Sequence, residues 1–111
     1  MQVYDTVNKL AEEIKTSKEY LDLKKAKEQI SSNIEYQTKI SNFNKLRYEQ
    51  QLNTIQTGKT DESKMQEIQK LYAELIEIEP IKNYFDAELK FNVILADVNK
   101  AISEAVKDVI S

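Results

Sequence analysis

Across its 111 residues the chain contains a single glycine, Gly58, and a single proline, Pro80. These are the residue types that most strongly interrupt regular backbone, so one of each implies long uninterrupted elements with two of their boundaries near positions 58 and 80. The apolar periodicity says which elements. Val7, Leu10, Ala11 and Ile14 recur at three- and four-residue spacing, with Lys9, Glu12 and Glu13 on the opposite face, the pattern of an amphipathic helix. Thr16 and Glu19 stand in capping-box order, which predicts a break there and a second helix through about Ile30. Tyr20, Leu23, Ala26 and Ile30 would form its inner face.

Ser31 to Asn33 offers three short polar side chains that compete for backbone hydrogen bonds, a predicted turn before a third helix. That helix is poor in apolar residues. Ile34, Ile40, Phe43, Leu46, Leu52 and Ile55 are spread through glutamine, asparagine and lysine, so it needs a partner. Gly58 allows a left-handed turn after it, and Thr60 or Asp61 is placed to cap a fourth helix, which together predict an antiparallel helical hairpin. The fourth helix carries Met65, Ile68, Leu71, Tyr72, Leu75 and Ile76. Pro80 biases Glu79 away from helical angles, predicting a bend near Ile78 and a restart with Pro80 in the first turn. No segment reads as a strand. The expected architecture is all-α, about five helices in one domain spanning 1–111, with a hairpin around Gly58 and a long final helix after Pro80, assembled into an oligomeric helical bundle.

The final helix carries the strongest pattern. Positions 81, 84, 88, 91, 95, 98, 102, 105 and 109 alternate three- and four-residue steps, and all but Glu88 are apolar or aromatic, a heptad seam of about four repeats. Phe85, Ile94 and Val106 widen it beyond what one partner helix covers. The first three helices are thinly supplied with apolar residues to bury it. Two copies, or this chain and a related one, are therefore expected to pair through Tyr84, Phe85, Glu88, Phe91, Ile94, Leu95, Val98 and Ile102, because an uncovered patch of this kind marks an interaction site.

Composition narrows the chemistry. With no cysteine and no histidine there is no thiolate or imidazole to act as nucleophile, base or metal ligand, so catalysis, metals and cofactors are not expected. Sixteen basic residues against 19 acidic ones argue against direct nucleic-acid binding, which depends on clustered lysine and arginine. No run approaches the roughly 20 apolar residues needed to span a membrane. The amino terminus lacks a basic segment leading into an apolar stretch, so no secretory signal is expected and the expected location is cytoplasmic.

Glu88, the one charge in the seam, has three readings. It lies at the edge of the stripe reaching water or a lysine, it makes a polar contact that fixes register or partner choice, or it is a metal ligand or general acid. The last is least favoured, since helical di-metal sites pair glutamate with histidine. The acidic cluster Glu74, Glu77 and Glu79 and the basic cluster Lys24, Lys25 and Lys27 read as solvated helix faces. Of the six tyrosines, Tyr72 and Tyr84 are the ones whose apolar body and polar tip suit an interface.

Taken in order, these features resemble the YlbF/YmcA group of small helical bacterial proteins, including its YheA-like members. Tyr4-Asp5, Leu10-Ala11 and Ile14, then Ser17-x-x-Tyr20 and Ala26-Lys27, are similar to the group's first helical pair, and the polar helix ending at Gly58-Lys59 to its middle. Most specific is Glu79-Pro80-Ile81-Lys82-x-Tyr84-x-x-Ala87-Glu88, followed by Phe91, Leu95 and Val98-Asn99-Lys100-x-Ile102, which resembles the closing helix. The resemblance implies a helical oligomer without enzymatic activity. It also implies a cytoplasmic regulator of Gram-positive bacteria linked to competence, sporulation and biofilm control, with partner proteins that modulate ribonuclease Y. Some members help hold iron–sulfur clusters through cysteines, which this chain lacks, so it is expected to bind no cluster itself. The alternative is a structural or chaperone-like coiled-coil protein with no dedicated regulatory complex.

Overall fold

A computed structural model describes residues 1–110 as five helices: α1 (Gln2–Lys15), α2 (Lys18–Ser31), α3 (Ile34–Thr57), α4 (Glu62–Leu75) and α5 (Glu79–Ile110), with no strand among the described residues. The breaks are chemically defined. Gly58 takes φ 72°, ψ 5°, and its N–H reaches Thr54 O at 2.9 Å, the left-handed stop that a residue without Cβ adopts freely. Asp61, rather than Thr60, caps α4 by accepting the Lys64 N–H at 3.2 Å. Asn33 caps α3 by accepting from the amides of Glu35 and Tyr36. At the last joint the Ile78 carbonyl accepts the N–H groups of Ile81 and Lys82, both at 3.0 Å, and Pro80 falls in the first turn where its missing donor leaves nothing unpaired.

The first joint differs from the capping box expected at Thr16 and Glu19. Thr16 ends α1, its hydroxyl donating back to Glu12 O at 3.0 Å, and the cap of α2 is Ser17. The reason is backbone geometry: Ser17 is extended (φ −67°, ψ 153°) as an N-cap requires, so its Oγ accepts the Tyr20 N–H at 3.2 Å while donating to Ile14 O at 2.6 Å. One hydroxyl thus ties the end of α1 to the start of α2.

Packing brings α2 and the first part of α5 together as an antiparallel pair. Tyr20 near the start of α2 meets Phe91 edge-on at 5.8 Å, while Ile30 near its end joins the core around Ile81. Ala26 and Ala87, both buried, face the same inter-helical hollow, and their small side chains let the backbones approach closely. The α3–α4 hairpin runs antiparallel, with Phe43 against Tyr72 at 5.9 Å. It closes on α5 through Phe85, which lies 5.8 Å from Phe43 and stacks on Tyr72 at 5.7 Å. The resulting core is small: Ile30, Ile40, Phe43, Ile68, Leu75 and Ile81, with Ile81 fully buried.

The shape is a slab, 50 × 38 × 17 Å. Its radius of gyration of 18.0 Å exceeds the roughly 13 Å of a compact chain of this length. The long dimension matches α5, whose 32 residues span about 48 Å.

Candidate association surface

Two sets of side chains project from α5, and they meet different surroundings. Up to Phe91 the seam is occupied within the chain. Ile81 and Ala87 are buried, Tyr84 and Phe85 pack against the core, and Phe91 lies against Tyr20. Beyond Ala87 the helix buries no residue. Leu95 is 37% exposed, Ile102 56% and Val109 85%, while Ile94 and Val98 are half-covered. The eight residues singled out from the sequence therefore fall into an inner group, Tyr84, Phe85, Glu88 and Phe91, packed within the fold, and an outer group, Ile94, Leu95, Val98 and Ile102, that extends past it.

Glu88 is the one charge within the inner group. It is half-buried, and the Tyr84 hydroxyl one turn earlier donates a hydrogen bond to it. Burial, reinforced by this bond and by the carboxylate's charge, pushes the Tyr84 phenol up to about 12 from its ordinary 10.0, because ionising it would create a second negative charge in a poorly hydrated place. Among the described residues, no three acidic side chains gather where they could hold a metal ion.

Next to Glu88, a hollow of about 470 Å³ lies between α3, α4 and α5, lined by Phe43, Arg47, Ile68, Tyr72, Phe85, Glu88 and Leu89. The Arg47 guanidinium lies 5.5 Å from the centre of the Phe43 ring, a cation–π arrangement at its rim. Sequence reasoning missed this corner. Arg47 falls on the same three-and-four stripe as Ile40, Phe43, Gln50 and Thr54, which was the available signal. Leu89 and Val93, 66% and 51% exposed, form a further apolar strip on a separate face of α5. The charged clusters Glu74, Glu77, Glu79 and Lys24, Lys25, Lys27 are solvated, as their spacing indicated.

α1 is the other incompletely covered element. None of its residues is buried, and Val3 and Val7 are 51% and 54% exposed although they form one stripe with Leu10 and Ile14. No helix among the described residues is long and apolar enough to cross a membrane.

An elongated all-helical slab with apolar helix faces left open beyond a small core is the class of protein these features define. The chain belongs to the YlbF/YmcA family: the family model described as "Control of competence regulator ComK, YlbF/YmcA" matches residues 3–107. It is similar to a UPF0342 protein of Lacticaseibacillus casei (strain BL23), 31% identical over 107 residues that cover 96% of this chain and 94% of that relative. A UPF0342 protein of Desulfitobacterium hafniense (strain Y51) is 32% identical over 111 residues, covering 99% and 89%. Another, from Caldicellulosiruptor saccharolyticus, is 33% identical over 105 residues, covering 94% and 87%.

Proposed function

We propose that this chain is a regulator or adaptor that acts by protein–protein association, without catalysis of its own, assembling with itself through the outer part of α5 and offering its polar helices to a partner. The observation that carries this reading is the change along α5 past Phe91, from side chains packed within the fold to apolar side chains, Leu95, Ile102 and Val109, left open to water. The absence of histidine and cysteine and the small, helix-lined hollows support a role in binding. Membership of a family named for control of a competence regulator supports a regulatory one. In this reading the chain serves competence, sporulation or biofilm control in the cytoplasm, within assemblies that adjust ribonuclease Y-dependent RNA processing, and its partners are itself and related helical family proteins.

Light scattering coupled to size exclusion tests the self-association, with an oligomeric mass expected at tens of micromolar and a monomer the opposing result. Pull-down from a related bacterial lysate tests the adaptor role. One or two defined proteins are expected, whereas a diffuse collection of clients would favour a chaperone-like coiled-coil protein instead.

A further inference from the structure

Two apolar stripes in the same chain are incompletely covered, and they match in length. On α1, Val3, Val7, Leu10 and Ile14 step by four, three and four residues, a narrow line about 17 Å long. On outer α5, Leu95, Val98, Ile102 and Val109 step by three, four and seven residues, one face of the helix over about 21 Å. On both helices the charges fall on the opposite side by helical spacing: Asp5, Lys9 and Glu12 on α1, and Asp97, Lys100 and Glu104 on α5. The two stripes are of a size to fill each other, and within one chain both are only partly covered: Leu10, Ile14 and Val98 are half-buried, while Val3, Val7, Leu95, Ile102 and Val109 stay exposed.

The surface area shows how much is left to cover. The chain exposes 8938 Å², where a compact monomer of 12.9 kDa exposes about 6,300 Å². The surplus, about 2,600 Å², is more than the roughly 800 Å² that each partner contributes to a standard interface and is on the scale of obligate dimers. A two-fold axis makes every contact occur twice. Pairing α5 with α5 of a second copy would cover one stripe and leave α1 bare, whereas a reciprocal contact of α1 with the second copy's α5 covers all four stripes.

Resting on the self-association proposed above, we infer that two copies exchange their amino-terminal helices, α1 of each lying along the outer half of α5 of the other, with Val7 and Leu10 set against the stretch from Leu95 to Ile102. Ser17, whose hydroxyl joins α1 to α2, is the joint about which α1 would be exchanged.

The native absence of cysteine makes the test direct. Val7→Cys, Leu95→Cys and Ile102→Cys each alter a side chain at least 37% exposed, so none of them removes a core side chain. Val7→Cys is mixed in equal amount with Leu95→Cys or Ile102→Cys, unfolded and refolded together, oxidised mildly, and the covalent products are identified by mass. The expected result is a disulfide between the two different variants, depleted when Leu10→Glu is added to the Val7→Cys chain. An oligomeric mass with no cross-link from either mixture, or with Ile102–Ile102 links alone, overturns the exchange and leaves self-association standing. A monomeric mass by light scattering overturns both.

Discussion

The phenol of Tyr84 and the carboxylate of Glu88 lie one turn apart on α5, the hydroxyl donating to the carboxylate. The bond requires a protonated tyrosine. Because the folded phenol is held near 12, above its ordinary 10.0, its contribution to stability is fully present below about pH 10 and is lost as pH rises toward 12. Tyr84→Phe should therefore lose less stability between pH 10 and 12 than the parent chain. The difference between the two chains' ultraviolet phenolate titrations should centre near 12, and a centre near 10 would contradict the burial and the bond.

Gln50 is a buried polar residue, beside Leu46, Asn53 and Asp61 in the α3–α4 hairpin. It is 6% exposed on α3, and its Nε2 has no hydrogen-bond partner. A buried donor left unpaired costs about 1–3 kcal/mol. Gln50→Met keeps the length and removes the unpaired amide, so chemical denaturation should show a gain of about 1 kcal/mol, or roughly 4–8 °C in Tm. A loss would mean that the amide is satisfied in solution.

The neighbouring hydroxyls at the first joint should behave differently. Ser17→Ala removes the acceptor for the Tyr20 amide and should cost about 1 kcal/mol, the usual value of an N-cap. Thr16→Ala removes only a hydroxyl that donates to carbonyls of its own helix at an exposed site, and should change stability by less than about 0.5 kcal/mol. Urea midpoints for the two variants suffice, and equal costs would move the cap.

Two isoleucines bracket the range of core contributions. Ile81 is 0% exposed where α2, α4 and α5 meet, whereas Ile34, the first residue of α3, is 80% exposed. Ile81→Ala should cost about 2–5 kcal/mol through lost burial and the cavity it leaves. Ile34→Ala should fall within about 0.5 kcal/mol. Thermal unfolding of both separates them easily.

Much of the fold was legible because its joints are marked by residues with one dominant conformational habit. Gly58 turns left-handed and Pro80 sits in a first turn, each for a reason visible in the residue itself. The Thr16–Ser17 joint was displaced by one position, because adjacent hydroxyls have the same capping chemistry and only the extended backbone at Ser17 decides between them. Gln50 was invisible for a related reason: its burial comes from packing in the α3–α4 hairpin, not from its own polarity. The seam on α5 was legible as a pattern, but spacing alone does not say who covers it. Tyr20, Ile30 and the aromatic corner of Phe43 and Tyr72 cover its inner part, and those contacts depend on where α2 and the hairpin come to rest.

Roughly 23 residues of α5 follow Ala87 without a fully buried side chain, and past Phe91 the turns draw only partial support from tertiary packing. In water most of a protein helix's stability comes from the tertiary packing of its apolar face rather than from propensity. Under the self-association proposed above, mass action would enter the folding of the chain itself: dilution would fray these turns and crowding of copies wind them again. Copy number then becomes a structural variable, and circular dichroism of a dilution series would read it as helix content.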